Sequence, residues 1–123
     1  MIKILALIAF IMLMAVITIL VYGYTKTPVI GGSFDSERIK DGIYEGSYTG
    51  WPVSASVQIT IRDKRIVNIE VVKHFSWRGK KAESIIPRRI IELQSTRVDA
   101  VTGATKSSNV IMNAVEMAIK GAY

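Results

Sequence analysis

The chain has 123 residues, half of them hydrophobic, with sixteen Lys and Arg against ten Asp and Glu and no cysteine. That length holds one small domain, and the missing cysteines exclude a disulfide framework, a thiolate metal site and a thiol nucleophile. A lone histidine, His74, excludes a multi-histidine metal centre within one chain. No metal ligands are expected.

Residues 4–22 carry no charged side chain, and Thr18 is the one hydroxyl among their aliphatics. Nineteen residues of helix rise roughly 28 Å, about the thickness of a bilayer's hydrocarbon core. A cleavable signal peptide is the competing reading, but its apolar core usually runs about 7–15 residues and ends in small residues. This run is longer and leaves through Val21-Tyr22-Gly23-Tyr24, with Tyr22 and Tyr24 suited to an interfacial aromatic belt. Residues 1–24 therefore read as an uncleaved, single-pass transmembrane anchor in the cell membrane. A short N-terminus carrying Lys3 favours the inside, while Lys26 opens a long following domain whose charges count little. The soluble domain then lies on the extracytoplasmic side.

Residues 25–40 mix Thr, Pro, Gly and Ser with charges, and Pro28 and Gly31-Gly32 discourage regular structure. They read as a juxtamembrane linker. Residues 41–123 form the domain. Residues 42–49, with Tyr44, Gly46 and Tyr48 on one face, predict a first strand. Residues 53–62 alternate strictly, with apolar residues at the odd positions, as a half-buried strand requires. Asp63-Lys64-Arg65 is a polar turn into a second β-branched run at 66–72, which makes an antiparallel hairpin. Residues 82–94 read as helical, interrupted or restarted at Pro87. In the last helix Val110, Ile111, Ala114, Val115, Ala118 and Ile119 share a face, Asn109, Asn113, Glu116 and Lys120 point away, and Gly121 ends it. Strands followed by helices give an α+β class: a small antiparallel sheet packed with helices, preceded by one N-terminal transmembrane helix.

Before that last helix stand Asp99, Thr102, Gly103, Ala104, Thr105, Lys106, Ser107 and Ser108. A helix N-terminus presents unpaired N–H groups and partial positive charge, so a phosphate is well placed there, and Lys106 adds a full charge. Gly103 and Ala104 leave room for close approach to the backbone. The plainer alternative is that the Thr or Ser is only an N-cap. The segment is neither a Walker loop nor a dinucleotide fingerprint.

Asp99-Ala100-Val101-Thr102-Gly103-Ala104-Thr105 resembles the Asp-x-x-Ser/Thr-Gly-Ala-Thr flavinylation motif of the FMN-binding domain family. That family occurs in the flavin-carrying subunits of sodium-pumping NADH:quinone reductases, in related ion-pumping ferredoxin:NAD reductases and in small extracytoplasmic electron carriers. Asp41-Gly42-Ile43-Tyr44-Glu45-Gly46, the hairpin, the strand end Glu70-Val71-Val72-Lys73-His74 and Ile90-Ile91-Glu92-Leu93-Gln94-Ser95 resemble family features in the same order. The hairpin turn departs, with Asp63-Lys64-Arg65 where the family often has Asp-Gly-Lys. That removes the residue best suited to a positive φ and puts the turn geometry in question.

The resemblance implies FMN as cofactor, joined through its phosphate to Thr105 by a flavin transferase. Asp99 would serve transferase recognition or brace the loop, and Thr102, Gly103, Ala104, Lys106, Ser107 and Ser108 would surround the phosphoester. His74 falls at a family position, near the flavin or as a partly exposed polar residue. Trp51 and Trp77 could stack on an isoalloxazine or simply pack. Arg78-Gly79-Lys80-Lys81 and Arg88-Arg89 read as a solvated face near lipid headgroups or an acidic partner, not as a nucleic-acid site. The implied function is membrane-anchored electron transfer, as a carrier or redox-complex subunit, between a membrane reductase or quinol-linked donor and an extracytoplasmic acceptor. The alternative is an unflavinylated assembly module of a redox complex. No Ser/His/Asp set or carboxylate pair is visible in the linear sequence.

Overall fold

A computed structural model describes residues 1–24 and 27–123, with the backbone alone for Tyr22, Gly23 and Tyr24. The interfacial roles expected of the Tyr22 and Tyr24 side chains, and Lys26, lie outside the described residues. Helix α1 (Ile2–Tyr24) is long and apolar enough over Ile2–Val21 to cross a membrane. Its large side chains stay exposed, from Ile2 to Val21. Thr18 donates its hydroxyl to the Met14 carbonyl at 2.8 Å, which satisfies it within the helix as a hydrocarbon environment demands.

Three strands follow: β1 (Gly42–Gly50), β2 (Val53–Arg62) and β3 (Arg65–Phe75). They form one antiparallel sheet in the order β1-β2-β3. The alternation in β2 sends Val53, Ala55, Val57, Ile59 and Ile61 into the core. In β1 the same alternation turns Tyr44, Gly46 and Tyr48 inward. The helices α2 (Ala82–Leu93) and α3 (Thr105–Lys120) complete the core. Ala114 and Ala118 of α3 lie so close to Gly46 that any side chain there would strike helix backbone. The α+β architecture stands as the sequence implies.

Several local expectations change. The hairpin turn is only Asp63-Lys64, because Arg65 already pairs with Arg62 in β3. Both turn residues adopt positive φ, 53° and 61°, without a glycine. The Asp41 carboxylate accepts the N–H of Asp63 at 2.9 Å and that of Lys64 at 3.0 Å, and so braces the turn. These backbone donors, Lys64 first, hold the Asp41 carboxyl below the usual carboxylate range. Strand β3 runs on past residue 72 to Phe75, which places His74 inside the sheet opposite Ala55. Pro87 does not interrupt α2: the helix runs through it, with the ring buried. The carbonyl that Pro87 leaves without its helical partner is that of Glu83.

Asn113 and Asn109 do not face away. Asn113 is fully buried, accepting the Ile30 N–H at 2.9 Å and donating to the Pro28 carbonyl at 2.8 Å. Asn109 donates to the Thr27 carbonyl at 2.8 Å. The chain that follows α1 covers this face, and these asparagines satisfy its backbone. Glu116, half-buried, accepts the Thr96 hydroxyl. Residues 27–40 carry no helix or strand beyond a bridge at Ser33, yet Thr27 and Ile39 are buried and the stretch is bound to the domain.

Candidate functional site

The loop before α3 is shaped by its own small polar residues. Ala104 donates to the Val101 carbonyl at 2.9 Å, and Gly103 takes a φ of 82°, which a residue with a side chain reaches only under strain. A Cβ at Gly103 would meet nothing within 4 Å, so that side of the loop is open. Ser108 turns inward: its hydroxyl donates to the Ala104 carbonyl at 2.7 Å and accepts the Val101 N–H at 3.0 Å. The N-cap position belongs to Ala104, with no side-chain cap. Thr105 is the first helical residue and is exposed, so its hydroxyl does no capping.

Beside this loop lies a cavity of about 470 Å³, within the ~300–1,000 Å³ of small-molecule sites. Gly103, Ala104, Thr105, Lys106 and Ser107 form one wall, with Pro52, Val53, Trp77 and Arg78 around them. Ile19 and Leu20 of α1 complete it. The site thus combines the positive end of α3, the cations Lys106 and Arg78, and one flat aromatic. Trp77 is 70% exposed and Trp51 53% exposed, so neither is a core residue.

Of the residues singled out from sequence, Gly103 through Ser107 converge on the cavity, whereas Asp99, Thr102, Ser108 and His74 are not part of its lining. Asp99 offers its carbonyl to Arg89 at 2.6 Å. His74 stands behind Ser107, its side chain only 2% exposed. Its Nδ1 is 2.8 Å from Glu83 Oε1 and its Nε2 3.0 Å from Ser107 Oγ. With Nδ1 donating to the carboxylate, Nε2 of the neutral ring accepts the Ser107 hydroxyl.

This Ser107–His74–Glu83 array was invisible in sequence, since its members lie on three different elements. The order matches that of a hydrolytic triad, but the setting does not. Ser107 is 3% exposed, and the Gly79 backbone lies against its hydroxyl so closely that a Cβ there would overlap it. The array ties the first turn of α3 to the end of β3 and the start of α2.

Residues 11–120 match the FMN-binding domain family. The chain belongs to that family. An uncharacterized protein of Treponema pallidum (strain Nichols) is 38% identical to this FMN-binding domain protein over 85 residues, which cover 64% of this chain. The match spans only 22% of that relative's own length. The crystal structure of the CPE2226 protein from Clostridium perfringens has the same fold, with a TM-score of 0.57 and 24% identity over 68% of this chain and 88% of that one.

The residues present fit the family's cofactor. FMN needs a phosphate site and a space for a flat ring. The α3 N-terminus with Lys106 and Arg78 provides the first, and the open cavity beside Gly103 and Trp77 the second.

Proposed function

We propose that this protein is a membrane-anchored, extracytoplasmic electron-transfer flavoprotein whose FMN is joined through its phosphate to the hydroxyl of Thr105. Family membership supports the flavin. The observation that carries the attachment site is the state of Thr105: last residue of the motif, exposed, and the first residue of a helix whose N-cap, Ala104, makes no side-chain cap. The bound flavin supplies the redox chemistry. The chain supplies a phosphate site at α3, charge from Lys106 and Arg78, and a brace behind them in Ser107, His74 and Glu83. Partners on this reading are a flavin transferase for maturation, a membrane reductase or quinol-linked donor, and an extracytoplasmic acceptor.

The test is co-expression with a flavin transferase, intact-mass measurement and peptide mapping. The expected result is one FMN phosphoester on the peptide containing Thr105, absent in Thr105→Ala. An unmodified mass, with a control domain flavinylated in the same cells, refutes the reading. So does denaturation-resistant flavin on the Ala variant.

A further inference from the structure

We propose that the Thr105 end of the domain rests on the bilayer surface, with Trp51, Phe75 and Trp77 seated among the headgroups of an anionic membrane and Arg78, Lys80 and Lys81 paired with their charge. This rests on α1 being a membrane-spanning helix, and adds a second contact to the anchor.

The first argument is chain length. Helix α1 ends at Tyr24, and Thr27 is already buried in the domain with its carbonyl held by Asn109. Three residues span at most about 11 Å. Asn109 lies one helical turn, about 6 Å of rise, beyond Thr105 on the same face of α3. The Thr105 end of the helix is therefore the end nearest the membrane. Gly50, at the end of β1, is packed against the Thr27 side chain, which brings the Trp51-Pro52 turn to the same place.

The second argument is what this end exposes. Trp51 is 53% exposed, Phe75 61% and Trp77 70%. Phe75 pairs with Ser54 at the same end of the sheet as Trp51. Large exposed aromatics grouped at one end of a small domain are the composition of an interfacial belt. Arg78, Lys80 and Lys81 follow directly and are exposed. The nearby acid Glu83 is turned inward onto His74. A cationic rim with aromatics suits anionic lipid, at roughly fivefold in local affinity per cation. The third argument is continuity. Ile19 and Leu20 of the apolar helix line the same cavity as Trp77 and Arg78, so lipid-embedded and domain surfaces meet there.

The chain has two tryptophans, both in this patch, so Trp51→Phe leaves Trp77 as sole reporter and Trp77→Phe leaves Trp51. The full-length variants are reconstituted into vesicles of mixed phosphatidylglycerol and phosphatidylcholine, with or without lipids brominated near the headgroup end of the acyl chain. Carbonate extraction, read separately, reports whether α1 spans the bilayer. The expected result is retention in the membrane, loss of Trp77 emission with brominated lipid, and recovery of that emission in Lys80→Glu/Lys81→Glu or in pure phosphatidylcholine. Retention with Trp77 emission unaffected by bromine, yet quenched by aqueous iodide, overturns the docking and leaves the anchor standing. Release by carbonate overturns the anchor, and the docking with it.

Discussion

Replacing Ser108 and Thr105 separately by alanine distinguishes a residue that builds the loop from one that the loop presents. Ser108 is fully buried, and its hydroxyl joins the Val101 N–H at 3.0 Å to the Ala104 carbonyl at 2.7 Å. In Ser108→Ala the Val101 N–H keeps no acceptor and stays away from water, a loss of about 1–3 kcal/mol. For a domain of this size each kcal/mol moves the unfolding midpoint by roughly 4–8 °C, so a drop on the order of 10 °C is expected. Thr105 is exposed and not a cap. Thr105→Ala exchanges a weak helix former for the best one and changes stability by no more than about 0.5 kcal/mol. A capping threonine would lose about 1 kcal/mol. The assay is thermal unfolding of the unflavinylated protein in detergent, followed by near-ultraviolet circular dichroism, so that no cofactor contributes. A Thr105→Ala midpoint that falls as far as that of Ser108→Ala refutes the reasoning.

Four further outcomes are expected. Gly79→Ala forces a Cβ onto Ser107 and destabilises by about 1–3 kcal/mol, and much of that loss disappears when Ser107→Gly is added, as a double-mutant cycle measures. His74→Ala empties a buried position and strands the Ser107 hydroxyl, at about 2–4 kcal/mol by denaturant unfolding. Asn113→Ala removes two part-buried hydrogen bonds to the segment that follows α1, at about 2–4 kcal/mol, and hydrogen exchange at Ile30 speeds up. The depressed carboxyl of Asp41 contributes stability above the unfolded-state value of about 4 and loses it as pH falls through the lower folded value. Asp41→Asn therefore flattens the part of the acid-unfolding profile below about pH 4 that this carboxylate contributes.

Elements whose signal is periodic were legible in sequence. The alternation in residues 53–62 and the helical repeat of Val110, Ala114 and Ala118 report directly which side chains face a core. The loop before α3 was legible as a candidate site because its residue types are those that bind or cap. Which hydroxyl braces the loop and which is presented was not, since Ser108 and Thr105 are alike in residue type and differ in burial only once the fold is formed. The Ser107–His74–Glu83 array joins residues up to 33 apart and exists only once β3, α2 and α3 are packed. Asn109 and Asn113 read as solvent-facing because a helical wheel counts polarity and is blind to a neighbouring backbone that needs partners. The glycine-free hairpin turn became possible through Asp41, which precedes Asp63 by 22 residues in the chain.

Thr105, Asn109 and Asn113 recur every fourth residue, so they form one stripe along α3. The last two grip Thr27 and Pro28, within a few residues of the end of α1. On the proposed anchoring, the stripe fixes the height of Thr105 above the bilayer, which a loose tether cannot do. A Gly/Ser insertion of about six residues between Tyr24 and Thr27 adds roughly 14 Å of reach. It leaves the domain's packing intact, and the entropic penalty for the longer connection stays near 1 kcal/mol or below. Flavin attachment, measured by intact mass, should match the parent, because the transferase sees the same loop. Quenching of Trp77 by brominated lipid should fall, because the domain is no longer held at the surface by its chain. Unchanged quenching in the insertion variant would show that the aromatic and basic groups hold the surface alone, and that the close asparagine grip serves folding and not height.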